Sequence, residues 1–72
     1  MNNNKLFGKC LKAQRLQKCL TQKNLAEKLG ISYQMYQQYE YGLYRPRPQR
    51  MKKIAEILGM NFSRIITHFY LA

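Results

Sequence analysis

Apolar residues recur along this chain at intervals of three and four, and no window alternates with the period of two that marks a half-buried strand. The pattern predicts an all-α domain of five helices. Helix 1, from about Asn4 to Lys18, carries Phe7, Cys10, Leu11 and Gln14 at i, i+3, i+4 and i+7 and ends near Cys19; only Gln14 is out of place on that face. Thr21 is a good N-cap for helix 2, Gln22 to Leu29, with Leu25, Ala26 and Leu29 inward, Gly30 as its stop and Ile31 in the corner beyond. Ser32 caps helix 3, from Tyr33 to about Tyr41, where Gly42 ends it. The run Leu43-Tyr44-Arg45-Pro46-Arg47 reads as a basic loop, because residues before proline are biased to extended backbone. Pro48 suits the first turn of helix 4, whose stripe is Met51, Ile54, Ala55 and Leu58 and whose stop is Gly59, with Met60 at the corner. Asn61 or Ser63 caps helix 5, which carries Phe62, Ile65, Ile66, Phe69 and Tyr70, a wide stripe for one helix.

The octets Leu25–Ser32 and Ile54–Asn61 resemble each other, but both spell a helix end, a glycine stop, a corner residue and a new cap. Shared punctuation accounts for the echo without a repeat architecture. The segment Gln22 to Tyr41 is more specific. Ala26 is small enough to let two helices cross closely, Gly30 tolerates a left-handed turn, and Tyr36 and Tyr39 form the inward face of the second helix. These are the steric requirements of a helix-turn-helix. At about 100° per residue, Gln34 and Gln38 fall together on the side opposite Tyr36 and Tyr39. A glutamine can donate to adenine N7 and accept from N6, and an outward i, i+4 pair without charge suits the reading of base edges.

Composition narrows the function. The 72 residues hold 13 Lys plus Arg against 3 acidic residues, a net charge of +10, which favours a polyanionic partner. No stretch approaches the roughly 18 apolar residues of a membrane-spanning helix. The scattered basic residues do not make one membrane-surface amphipathic helix either. Met1-Asn2-Asn3-Asn4-Lys5 leads into no apolar signal region, so a cytoplasmic protein is expected. Cys10 and Cys19 on one helix lie roughly 13 Å apart, beyond disulfide reach, and are expected as reduced thiols in core or edge packing. With those cysteines, one histidine (His68), three glutamates and no aspartate, the chain offers no metal cage and poor acid–base equipment. A binding protein is expected, with no enzyme activity, cofactor or small-molecule substrate.

From Leu11 to Ile66 the sequence resembles the lambda repressor/Cro-like, or XRE, family of helix-turn-helix DNA-binding regulators. The resemblance rests on Leu11 and Arg15, Leu20-Thr21-Gln22, Leu25-Ala26-Glu27-Lys28-Leu29-Gly30-Ile31-Ser32, Glu40, Gly42, Pro46, Ile54-Ala55 and Leu58-Gly59. It implies a compact five-helix domain spanning 1–72, with the motif at 22–41 docked in the major groove of double-stranded DNA. Tyr33, Gln34, Met35 and Gln38 match positions that reach bases; Met35 or Tyr33 could meet a thymine methyl, and Tyr33 could equally pack on the domain. Gln22 matches a glutamine that grips a phosphate, and Lys23, Gln37, Tyr41, Arg45, Arg47 and Arg50 are further expected phosphate contacts. Arg15 and Glu40 match an ion pair tying helix 1 to the end of helix 3.

Several residues depart from the family pattern. Cys19 stands where glycine is frequent, which implies a left-handed residue under modest strain. Tyr36 and Tyr39 replace aliphatic residues or tryptophan, so their hydroxyls need partners. Arg47 takes an N-cap position that serine normally fills, and Tyr41 stands where asparagine is common. Lys5, Lys9, Lys12, Lys18, Lys52 and Lys53 read as a solvated face that raises nonspecific affinity.

One such motif covers few base pairs, so a homodimeric repressor on a pseudo-palindromic operator is expected. Helix 5, residues 62–71, is the candidate interface: Phe62 and Ile66 close the core, while Ile65, Phe69 and Tyr70 leave apolar surface for a second copy. The alternative is an interaction module, such as an antitoxin, bound to a small protein partner and autoregulatory on DNA.

Overall fold

Helices begin in this chain where a side chain can satisfy the free amides of a first turn. In the computed structural model, which describes residues 4–71, α1 spans Asn4–Gln17, α2 Gln22–Leu29, α3 Tyr33–Glu40, α4 Pro48–Leu58 and α5 Phe62–Ile65. The last runs directly into a π-helical turn, Ile66–Tyr70. Thr21 and Asn24 form a reciprocal capping box: the Asn24 amide donates to the Thr21 hydroxyl at 3.0 Å and the Thr21 amide to Asn24 Oδ1 at 3.3 Å. Ser32 Oγ accepts from the Met35 amide at 3.1 Å, and Asn61 Oδ1 accepts from the Arg64 amide at 3.0 Å. Arg47 begins α4 without a side-chain cap, and Pro48 occupies its first turn, where a missing N–H costs nothing. The described residues are helices and connecting turns only, and no helix among them is long and apolar enough to cross a membrane.

The helices close around one core of Phe7, Leu11, Leu25, Ala26, Leu29, Tyr36, Tyr39, Met51, Ile54, Ala55, Leu58 and Ile65. Ala26 is buried, and Gly30, left-handed at φ 71°, turns α2 into α3 across Ile31 and Ser32. Gly30 donates to the Glu27 carbonyl and Ile31 to that of Ala26, so the steep turn leaves α2 well terminated. Cys19, at φ 57°, is the non-glycine residue with positive φ among those described.

Two expectations need correction. The inward face of α1 is Phe7, Gly8, Leu11 and Arg15; Cys10 is exposed and Gln14 half-buried. The helix is rolled because Gly8 lies directly on the end of α3, where a Cβ would come within 2.2 Å of the Glu40 carbonyl oxygen. The resulting close approach places Arg15, not Gln14, under the domain. Cys19 is exposed as well, so neither thiol packs in the core.

The second correction concerns the C-terminal stripe. Ile65 is buried in its own core at 7% exposure, and Phe69 and Tyr70 are half-buried, meeting Phe7 edge-on with centroids 5.4 and 6.4 Å away. The Leu71 amide donates to the Ile66 carbonyl at 3.0 Å, five residues back. This wider turn places the consecutive Phe69 and Tyr70 against the same ring, which a 3.6-residue reading does not anticipate.

Gly8→Ala should therefore be severe for so small a change. Backbone cannot yield as a flexible side chain does, so the expected loss is about 1–3 kcal/mol, seen in thermal denaturation as a drop of roughly 5–20 °C.

Candidate nucleic-acid interface

The orientation of α3 is set by a buried charge at its end. Arg15 is 7% and Glu40 2% exposed at the side chain, and the two meet in a bidentate pair, Nε to Oε2 at 2.5 Å and Nη2 to Oε1 at 3.1 Å. Tyr36 donates its hydroxyl to Oε2 at 2.5 Å, and Gln22 donates Nε2 to Oε1 at 3.0 Å. Each carboxylate oxygen thus accepts two bonds, from α1, α2 and α3. Arg15 Nη1 donates onward to the Leu20 carbonyl at 2.8 Å. Burial pushes the Glu40 carboxyl up, but hydrogen bonds from Arg15, Tyr36 and Gln22, with the charge of Arg15, outweigh it and hold it below the usual carboxylate value. Burial, then the bond to Glu40, pushes the Tyr36 hydroxyl far above the ordinary tyrosine value, so it remains a donor.

With Tyr36, Tyr39 and Glu40 buried, α3 turns Gln34 and Met35 to solvent and leaves Gln37 and Gln38 half-buried. Glu40 is the charged residue of this helix, so the outward face is neutral. Gln37 is a hub: its Nε2 lies 2.9 Å from the Tyr33 hydroxyl, 3.3 Å from that of Tyr41 and 3.4 Å from Gln22 Oε1. Tyr33 is pinned at both ends, since the Lys23 ammonium stands 5.6 Å from its ring centroid. Its half-buried ring packs on the start of α2, whereas Met35 is 38% exposed.

Cations flank this neutral face. Between α3 and α4, an open cleft of about 770 Å³ brings Met35 and Tyr39 together with Tyr44, Arg47, Arg50 and Lys53. The buried Tyr39 hydroxyl accepts from Arg50 Nη1 at 2.9 Å and so aims that guanidinium. On the other flank, Gln22 and the exposed Tyr41 share a recess with Lys9 and Lys12. Lys9, Lys12 and Lys53 look like solvated surface in the sequence. The i, i+3 spacing of Lys9 and Lys12 on α1 was a signal, but only the packing of α1 on α3 brings them beside Gln22.

Arg45, expected as a phosphate contact, is half-buried and lines the same cleft as Arg47 and Arg50. Its guanidinium is turned inward over Phe7, Phe69 and Tyr70, and Nη1 donates to the Phe69 carbonyl. Stacking on three rings gives this half-buried cation a packing role in the fold. Among the described residues, no group of three or more His, Cys, Asp and Glu could hold a metal ion.

Residues 11–65 match the family model described as Helix-turn-helix. The uncharacterized HTH-type transcriptional regulator YqaE of Bacillus subtilis (strain 168) is 38% identical over 61 residues, which are 85% of this chain and 53% of that protein. The SPbeta prophage-derived uncharacterized HTH-type transcriptional regulator YonR of the same organism is 38% identical over 56 residues, 78% of this chain and 52% of that protein. The chain spans about half the length of these curated relatives. No solved structure matches it significantly.

Glu40→Gln should destabilise by about 3–5 kcal/mol, since it strands a buried guanidinium. Arg15→Met combined with Glu40→Met should lose less than Glu40→Gln alone, because no buried charge is left unpaired. The depressed carboxyl contributes stability that is fully present above its ordinary value of 4.5 and is lost as pH falls through its lower folded value. Melting temperatures measured from pH 7 down to pH 3 should fall for the wild type below about pH 4.5, with the fall largely removed in Glu40→Gln.

Proposed function

The chain belongs to the helix-turn-helix family of the XRE, lambda repressor/Cro-like type, and from this premise we propose that it is a homodimeric repressor that binds double-stranded DNA at a specific operator. One observation carries the reading: α3 presents an uncharged glutamine face between two cationic flanks. Cations at the edges suit phosphates, which supply affinity without sequence information, and a neutral amide face suits base edges, where charge would be indiscriminate.

With α3 in the major groove, Gln34 and Gln38 pair with adenines and Met35 packs on a thymine methyl. Tyr33, held by Lys23 and Gln37, stands at the groove wall. Arg47 and Arg50 take phosphates on the α4 side; Lys23, Gln22, Gln37 and Tyr41, with Lys9 and Lys12, take them on the other. Both helix-turn-helix relatives are named as transcriptional regulators, which supports a regulatory role.

A domain measuring 30 × 22 × 21 Å carries one reading helix. Two half-sites one helical turn apart place such helices about 34 Å from each other, which takes two copies and a pseudo-palindromic site. The C-terminal segment joins the copies through the edges of Phe69 and Tyr70 that Phe7 leaves uncovered. Repression follows by occluding a promoter.

Fluorescence anisotropy on fragments of the protein's own promoter, against random duplex at 50–200 mM salt, tests this. One fragment should bind far better than random DNA, and Gln34→Ala or Gln38→Ala should each reduce that advantage by about 5- to 150-fold, the 1–3 kcal/mol of a bidentate base contact. Random-duplex affinity should stay unchanged in both. Arg47→Ala should instead weaken every duplex and lower the salt slope by about 1. Equal binding to all fragments, or a protein–DNA complex whose mass corresponds to one copy per site, overturns the reading.

A further inference from the structure

The loop from Leu43 to Arg47 joins the reading helix to the cationic start of α4, and its two halves are held in different ways. The amides of Leu43 and Tyr44 donate to the Gln38 carbonyl at 3.0 and 3.4 Å, so the first half belongs to α3. In the second half, the Arg47 carbonyl accepts from the Met51 amide at 2.9 Å inside the first turn of α4. Among the described residues, no backbone hydrogen bond ties Arg45 or Pro46 to either helix. Their anchors come from the far end of the chain: the Tyr70 hydroxyl donates to the Pro46 carbonyl, and Arg45 Nη1 donates to the Phe69 carbonyl.

Ring packing completes the attachment. The Arg45 guanidinium carbon lies 5.4, 5.5 and 5.3 Å from the ring centroids of Phe7, Phe69 and Tyr70, and Pro46 is fully buried beside it. Arg45 Nε is buried without a hydrogen-bond partner, and the guanidinium is held by ring stacking together with the one bond from Nη1. Burial pushes the Tyr70 hydroxyl up to about 12, against the opposing charge of Arg45, which keeps it a donor. A latch of this kind holds the backbone from which Arg47 projects and at which α4, with Arg50, begins.

We propose that Arg45 is a positioning residue for DNA binding: latched to Phe69 and Tyr70, it holds the loop so that Arg47 and Arg50 meet the phosphate backbone, which makes the C-terminal π-helical turn part of the binding apparatus. This rests on the DNA-binding reading above. It differs from a direct phosphate role for Arg45 in a way that can be measured. A phosphate accepts lysine or arginine, whereas a planar guanidinium stacked among rings is not replaced by an ammonium.

The experiment compares Arg45→Lys, Tyr70→Phe and Arg47→Lys with the wild type, each verified as folded by circular dichroism, for binding to random duplex between 50 and 200 mM salt. All keep cationic charge, so long-range attraction is unchanged. Arg45→Lys and Tyr70→Phe should each weaken binding about three- to tenfold and lower the salt slope by about 1, as expected for one displaced phosphate contact. Arg47→Lys should stay within about twofold of the wild type. The preference for the operator over random duplex should be unchanged in Arg47→Lys, which touches neither the glutamine face nor Phe69 and Tyr70.

Amide relaxation of the free proteins gives a readout that needs no DNA: residues 45 and 47 should become mobile in Tyr70→Phe, while α2 and α3 stay as they were. Wild-type affinity and salt slope in both Arg45→Lys and Tyr70→Phe overturn the proposal, as does a loop that remains rigid in Tyr70→Phe. If the wild type binds no duplex, the DNA-binding reading fails and the DNA role of Arg45 falls with it; a loop that nevertheless loosens in Tyr70→Phe then identifies the reading, not the latch, as the part that failed.

Discussion

A carboxylate buried with every lone pair engaged governs this domain. Glu40 accepts from Arg15, Tyr36 and Gln22, and so fastens the end of α3 to α1 and to the start of α2 at one point. A buried charge tolerates little displacement, because each lost partner exposes an uncompensated desolvation cost. A helix of only eight residues would otherwise be a poor platform for specific recognition. Here its roll about its own axis is set by a charged contact at one end and by Tyr36 and Tyr39 along its inner side.

The rest of the interface follows from that roll. Turning Glu40 inward removes the charge from α3, so the outward face is left to amides and Met35. The same contact brings α1 against α3 at Gly8, which carries Lys9 and Lys12 beside Gln22 and Tyr41. On the opposite flank, Tyr39 uses its hydroxyl to aim Arg50. Tyrosines in place of aliphatic residues therefore do more than fill volume: one completes the carboxylate shell and the other directs a cation. Both need a partner at the ring's polar tip, and both have one.

Helix boundaries were legible because they depend on local chemistry. Thr21, Ser32 and Asn61 announce their helices, and Gly30 and Gly59 end theirs, through bonds spanning three to five residues. The outward placement of Gln34 and the inward placement of Tyr36 and Tyr39 were legible for a related reason, since one helical period relates them. Failures of the sequence reading arise where an approach between distant segments decides the outcome. Cys10 fits the apolar stripe of α1 and Arg15 does not, yet the domain exposes the cysteine and buries the arginine against a partner 25 positions away, a pairing that the family resemblance implied and helical periodicity could not. Arg45 reads as a cation of a basic loop, and nothing nearby in the chain discloses that it stacks on three rings.

The sequence by itself determined the helices, their caps, the steep turn at Gly30 and the strongly basic character of the chain. Each depends on the covalent chain over a turn or two, or on composition alone. Tertiary structure decided which cations face outward, how far α1 is rolled, and whether Phe69 and Tyr70 are surface or packing. Those outcomes depend on contacts between segments as far apart as Phe7 and Tyr70, whose meeting no helical period encodes. The π-helical turn shows why: it changes the period itself, so that side chains are directed by the rings awaiting them rather than by the spacing that precedes them.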